Sequence, residues 1–223
     1  MIIYCLSFII FLLILGIFWF WYMIKNDPIM PFIKIDDVKF KTGDLILFHA
    51  YNNINPMIIC TYWGHIGIVF IDPDVPDAKP LIFEAASTNG IKNCPEYNKN
   101  GIIVADLHDR ISKYPGMIAY KSLNTPLTEN TIQDFKNLIV YAKENMFYND
   151  KVIQNGIKKK SGEKLNNATN CGELTAISLI KLGLLPENLL NEKIGHHLMY
   201  VSNLKKVQNN FYHDPVEISI SPF

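Results

Sequence analysis

Three kinds of apolar pattern divide this chain. The first is unbroken: Ile2 to Ile24 contains no Asp, Glu, Lys or Arg. The second is a set of short apolar runs bounded by Gly, Pro and Asn. These predict strands at 44–49, 65–71, 81–85, 102–106 and 117–121, and a last one at 216–220. In the run from His65, the residues Ile66, Ile68 and Phe70 alternate with His65, Gly67 and Val69, a weak period of two. The third pattern is helical. Ile132, Phe135, Leu138, Ile139, Ala142 and Met146 fall on one face of a helix that Thr128 can cap. Leu174, Ile177, Leu179, Ile180 and Leu182 line a second helix, with Asn170 as its N-cap, Glu173 at the capping-box position and Gly183 as its stop. Between these elements, Pro73, Pro76 and Pro80 mark a loop, and residues 89–100 are polar and turn-rich. Residues 147–169 read as a long loop, with Gly156, Gly162 and the run Lys158-Lys159-Lys160, placed to cover whatever the second helix presents. No internal repeat is visible.

The first pattern reaches the ~20 residues a helix needs to cross a bilayer. Trp19, Trp21 and Tyr22 gather at one end, as in a headgroup-level aromatic belt, and Lys25 closes the segment. A cleaved signal peptide would need a basic start, a shorter apolar core and a small-x-small cleavage site, none of which is present. The expectation is a transmembrane anchor over 1–24, a stalk over 25–40 interrupted by Pro28 and Pro31, and one domain over 41–223. Lysines occur only after the segment, at Lys25, Lys34, Lys39 and Lys41, so the positive-inside rule puts the domain on the cytoplasmic side.

Charge narrows the partners. Lys plus Arg and Asp plus Glu number 21 each, so the net charge is zero and no basic stripe suggests nucleic acid. The Lys158–Lys160 run is either a solvated loop or a contact for anionic lipid. Of the four cysteines, Cys5 lies in the apolar segment, and only Cys60–Cys94 could pair while leaving Cys171 free. No Cys-x-x-Cys or His-x-x-x-His spacing occurs, so neither a metal nor a cofactor is expected. Abundant asparagine, isoleucine and lysine point to an AT-rich genome, as in a viral or parasite source.

Candidate chemistry sits in three patches. Cys171 opens the second helix, where unpaired backbone N–H groups and the helix dipole favour a thiolate and can hold an oxyanion. The alternative is a small buried residue at a helix end. His65 opens a strand, where it either reaches a cleft or bonds a nearby carbonyl. Glu84 follows Leu81-Ile82-Phe83 and is either a surface acid or the group that orients an imidazole. Asp44, after Gly43 at a strand start, reads as structural, bonding local backbone N–H groups. His49, His108 and His213 draw little support, and the tandem His196-His197 makes a poor joint site because adjacent strand residues face opposite ways.

The runs Gly43-Asp44-Leu45-Ile46-Leu47-Phe48 and Gly64-His65-Ile66-Gly67-Ile68-Val69 resemble the β half of the NlpC/P60 papain-like thiol hydrolases. Phe83-Glu84-Ala85 follows, and Asn170-Cys171-Gly172-Glu173-Leu174 comes last rather than first. That order resembles the circularly permuted branch, which includes lecithin:retinol acyltransferase-like enzymes, bacterial YiiX-like proteins and a poxvirus group. The resemblance covers Phe40 to Leu185. It implies a permuted papain-like α+β fold, an antiparallel sheet packed on the cysteine helix, here preceded by one transmembrane helix. It also implies Cys171 as nucleophile, His65 as base and Glu84 as the third polar residue, where acyltransferase-type members usually carry a second histidine. With the anchor, the expected activity is a membrane-bound cysteine hydrolase or acyltransferase acting on ester or amide bonds of lipid acyl groups. Peptide or peptidoglycan amide cleavage is the first alternative. A non-catalytic membrane interaction protein keeping the fold, viral in source, is the second.

Overall fold

In the computed structural model, the described residues are 7–17, 30–49, 63–86, 101–148, 168–186 and 211–219. The chain divides into two units, Met1–Met30 and Pro31–Phe223. Of the first unit, residues 7–17 form a helix (α1) whose side chains are exposed. Among the described residues no helix is long and apolar enough to cross a membrane, so the transmembrane helix expected over 1–24 is not supported.

The second unit is built on a seven-stranded sheet with the spatial order β1-β9-β6-β2-β3-β4-β5. Its strands are β1 (Phe32–Lys34), β2 (Leu45–His49), β3 (His65–Phe70), β4 (Leu81–Ala86), β5 (Gly101–Asp106), β6 (Met117–Lys121) and β9 (Val216–Ser219). A separate two-residue pair joins β7 (Phe147–Tyr148) to β8 (Ala168–Thr169). With α1 there are four described helices, the others being α2 (Leu107–Ser112), α3 (Glu129–Asn145) and α4 (Cys171–Lys181), so the fold is mixed α+β.

The sheet is antiparallel except at one edge, where β1 runs parallel to β9. This differs from the all-antiparallel sheet expected, and it places β1 inside the stretch read as a stalk. Pro28 and Pro31 do block a helix there, but pairing with a strand some 180 residues later leaves no local trace.

Side chains directly opposite in a ladder share a face. Ile46, Phe48, Val69, Ile82, Ile118, Tyr120 and Ile218 fill one face together with Leu107 and Ile111 of α2 and with Phe40. On the other, Phe135 of α3 meets Phe70 and Phe83 edge-on at 5.8 Å each. Helix α4 packs beside α3 and against β3 and β4. Because both faces are covered, four consecutive residues of β2 and five of β3 are buried, which explains the weak alternation in the sequence.

The turn Gly43-Asp44 ties the sheet together. Gly43 has φ +95°, and a Cβ there would press on Leu123 at 3.1 Å. Asp44, fully buried, accepts from the backbone N–H of Lys41 (2.7 Å) and of Leu123 (2.8 Å) and from the Tyr120 hydroxyl (3.0 Å). Its reach to Leu123 and Tyr120 goes beyond the local bonds expected of it. Asp44→Ala strands the Leu123 N–H and the Tyr120 hydroxyl in the core. The expected loss is about 2–4 kcal/mol, read from the urea unfolding midpoint. A loss under ~1 kcal/mol would show that the knot is dispensable.

Candidate active site

Cys171 is delivered by the start of α4. The Asn170 side chain accepts from the Glu173 backbone N–H at 2.9 Å, which starts the helix one residue before the thiol. The helix stops at Leu182, and Gly183 follows with φ +70°.

His65 is delivered by the start of β3. Its partner in the β2 ladder is Phe48, and the ring of Phe48 lies 5.4 Å from the imidazole. The register of β3 on β4 pairs Ile68 with Phe83 and Val69 with Ile82. Continued one residue, it sets Gly67 opposite Glu84, so His65 and Glu84 are diagonal neighbours on one face. Gly67 makes the diagonal passable. A Cβ at that position would lie 2.6 Å from Ile82 Cδ1 and 3.4 Å from Glu84 Cβ.

The diagonal closes in a hydrogen bond of 2.7 Å between His65 Nε2 and Glu84 Oε2. The imidazole keeps 21% of its side-chain exposure while the carboxylate has none. His65 also hydrogen-bonds the Cys171 thiol, and with Nε2 held by Glu84 the nitrogen facing sulfur is Nδ1. The structure thus brings together the three residues singled out in the sequence, in the order thiol, imidazole, carboxylate.

The charges of these groups follow from burial and mutual contact. Burial alone would lower the basicity of His65. The negative charge of Glu84, then that of Cys171, and the hydrogen bonds to both override it and raise the imidazole to about 9. For Cys171 burial opposes ionisation. The His65 charge and hydrogen bond, and backbone N–H bonds from Ile66 and Gly172, outweigh it and lower the thiol below its ordinary value. Glu84 would be raised by burial, but the Arg110 charge first and the His65 charge second pull it down to about 2. The contacts thus favour the charged form of each group: the thiol is lowered, the imidazole raised and the carboxylate lowered.

Three members of the site went unread in the sequence. Arg110 of α2 donates to Glu84 Oε1 through Nε at 2.7 Å and to Oε2 through Nη2 at 3.3 Å. Its guanidinium lies over the rings of Phe48 and Tyr114, whose centres are 4.4 Å and 5.3 Å away. Burial and the Glu84 charge push the Tyr114 phenol up to about 12, so it stays neutral. A signal for Arg110 did exist: it is the one arginine beside twenty lysines.

The remaining candidates lie elsewhere. His49 ends β2 near Trp63, exposed His108 meets Phe40 edge-on at 5.7 Å, and the His213 backbone N–H donates to Ser122 O at 3.0 Å. His196, His197, Cys5, Cys60, Cys94 and the Lys158–Lys160 run fall outside the described residues. Among the described residues no group of three or more His, Cys, Asp or Glu side chains is placed to hold a metal ion.

No family model and no curated protein matches this chain. Among solved structures it is similar to the crystal structure of the metalloprotein yiiX from Escherichia coli O157:H7, DUF1105. The match has 14% sequence identity and a TM-score of 0.44, and covers 79% of this chain and 87% of that one. That structure is a YiiX-like protein, one of the groups the motif order resembles. At this distance the superfamily itself is not shown.

Proposed function

We propose that the chain is a cysteine-dependent hydrolase or acyltransferase of the papain-like kind, acting on an ester or amide carbonyl. The observation that carries this reading is the continuous chain from Cys171 through His65 to a fully buried Glu84.

The thiolate of Cys171 attacks the carbonyl carbon, forming an S–C bond and moving the carbonyl electrons onto oxygen. The Cys171 backbone N–H, in the first turn of α4 where it has no intrahelical acceptor, supports that oxyanion. As the C–O or C–N bond breaks, the His65 imidazolium protonates the leaving group. The neutral imidazole then takes a proton from water or another acceptor, which attacks the thioester and releases the thiolate. Glu84 holds the ring in the required tautomer and stabilises its charged form throughout.

Two outcomes test the reading. Cys171→Ser should lower thioester-forming turnover of an activated acyl ester by at least about 10³-fold, and His65→Ala by a similar factor, because nucleophile and base act as a unit. The melting temperature of Cys171→Ser should stay within ~2 °C of the parent, since the swap leaves the helix start intact. Retained turnover in either variant would end the assignment.

The rate should also trace a bell in pH. The imidazolium is present below its raised value, so activity falls as pH rises through about 9. The thiolate is present above its lowered value, so activity persists on the acid side of the ordinary thiol range. Measured kcat/KM with a basic limb near ~6.5, the ordinary imidazole value, would contradict the charged resting pair.

A further inference from the structure

Arg110 has the geometry of a group that acts on the chemistry through Glu84. It reaches both carboxylate oxygens, and Oε2, which it shares, is the atom that holds His65 Nε2. The side chains of Arg110 and Glu84 are 3% and 0% exposed, so water screens neither. Phe48 packs against both cation-bearing groups, Arg110 at 4.4 Å and His65 at 5.4 Å, and so fixes their spacing.

The choice of residue is informative too. Every other cationic side chain apart from histidine is lysine. A lysine ammonium is a point charge that cannot span two carboxylate oxygens or stack flat on Phe48 as a guanidinium does. The exposed residues of the same helix end, Asp109 and Lys113, pair with each other at 2.9 Å. Among the described residues, the titratable and charged groups around the site are Glu84 of β4, His65 of β3, Cys171 and buried Glu173 of α4, and Tyr114 beyond α2.

We propose that Arg110 is a positioning residue: by gripping both oxygens of Glu84 it keeps that carboxylate charged and aimed at His65, and so keeps the His65–Cys171 pair ionised. The inference rests on the thiol–imidazole reading above. Its sign is fixed by the carboxylate. Without the guanidinium, the buried Glu84 takes up a proton and ceases to stabilise the imidazolium, which moves formation of the thiolate to higher pH.

The test uses the full chain and iodoacetamide, following alkylation of Cys171 by peptide mass spectrometry as a function of pH. In the parent, reaction should continue well below pH 8.5, the ordinary thiol value. In Arg110→Met the acid limb should move up by about one pH unit or more, with alkylation at pH 5.5 about tenfold slower or worse. Glu84→Gln should shift the limb similarly, and Glu84→Gln/Arg110→Met should match Glu84→Gln, because Arg110 acts only through the carboxylate. Arg110→Lys keeps the charge but not the two-oxygen grip, and should give an intermediate limb with lower kcat at little-changed KM. It carries the test if Arg110→Met fails to fold.

A folded Arg110→Met with the parent profile overturns the proposal while leaving the catalytic reading intact. So does an Arg110→Lys indistinguishable from the parent in both limb and kcat. An additional shift from Arg110→Met on the Glu84→Gln background overturns it as well. If the parent Cys171 itself titrates near 8.5, the underlying reading of the site fails, and the proposal with it.

Discussion

A carboxylate with no exposure to water must find its counter-charge inside the protein, and Glu84 finds two. The desolvation penalty of a buried ion is several kcal/mol, and removing a single partner from such a set leaves a charge uncompensated. Much of the second unit's architecture follows from that constraint. β4 must present Glu84 on the face where β3 presents His65, and α2 must dock so that Arg110 reaches both carboxylate oxygens. Leu107 and Ile111, one turn apart on the same helix face, dock it by burying themselves against Phe48, Val69 and Ile82. Packing of α2 and ionisation of the site are therefore one thermodynamic unit. The linkage has definite signs. Glu84, lowered to about 2, contributes stability above its ordinary value near 4.5 that is lost as pH falls toward 2. His65, raised to about 9, contributes stability below 6.5 that is lost as pH rises toward 9.

The site also joins the two layers that cover the sheet. His65, Glu84, Phe48 and Arg110 belong to the side of α2. Cys171 arrives on α4, which packs with α3 on the side of Phe70 and Phe83. The meeting point is the first residues of β3. There the His65 ring turns toward the helix start, and the backbone N–H of Ile66 reaches the sulfur from the next position. A helix N-terminus aimed at the end of a sheet offers its dipole and its unpaired N–H groups to any anion there.

What the sequence made legible divides along local and non-local lines. The strands from Leu45 to Lys121, the caps Thr128 and Asn170 and the stop at Gly183 are local signals, and the elements fall within a residue or so of them. β1 was not legible because it is three residues long and is stabilised by β9. α2 was missed because six residues hold barely more than one turn of periodicity, and a charged residue on its inner face reads as surface. Its N-cap was there to be seen: Asp106 accepts from the Asp109 backbone N–H at 2.9 Å. The adjacency of His65 and Glu84 depends on the register of two strands joined across a proline loop, which no local pattern reports.

The identity of the third residue now has a physical reading. A neutral amide or a second histidine can orient an imidazole without importing charge, and needs nothing behind it. A carboxylate stabilises the imidazolium more strongly, but only while it stays ionised in a site that excludes water. Glu84 as orienter therefore implies a dedicated cation. That cation must be bidentate if it is to leave Oε2 still directed at His65, and it must be buried to act at low dielectric. A lysine meets neither demand well, because its ammonium bonds one oxygen at a time and loses its proton readily when desolvated. The single arginine of the chain stands where the fully buried Glu84 requires it, so a carboxylate in the third position and the presence of Arg110 on α2 are two halves of one solution.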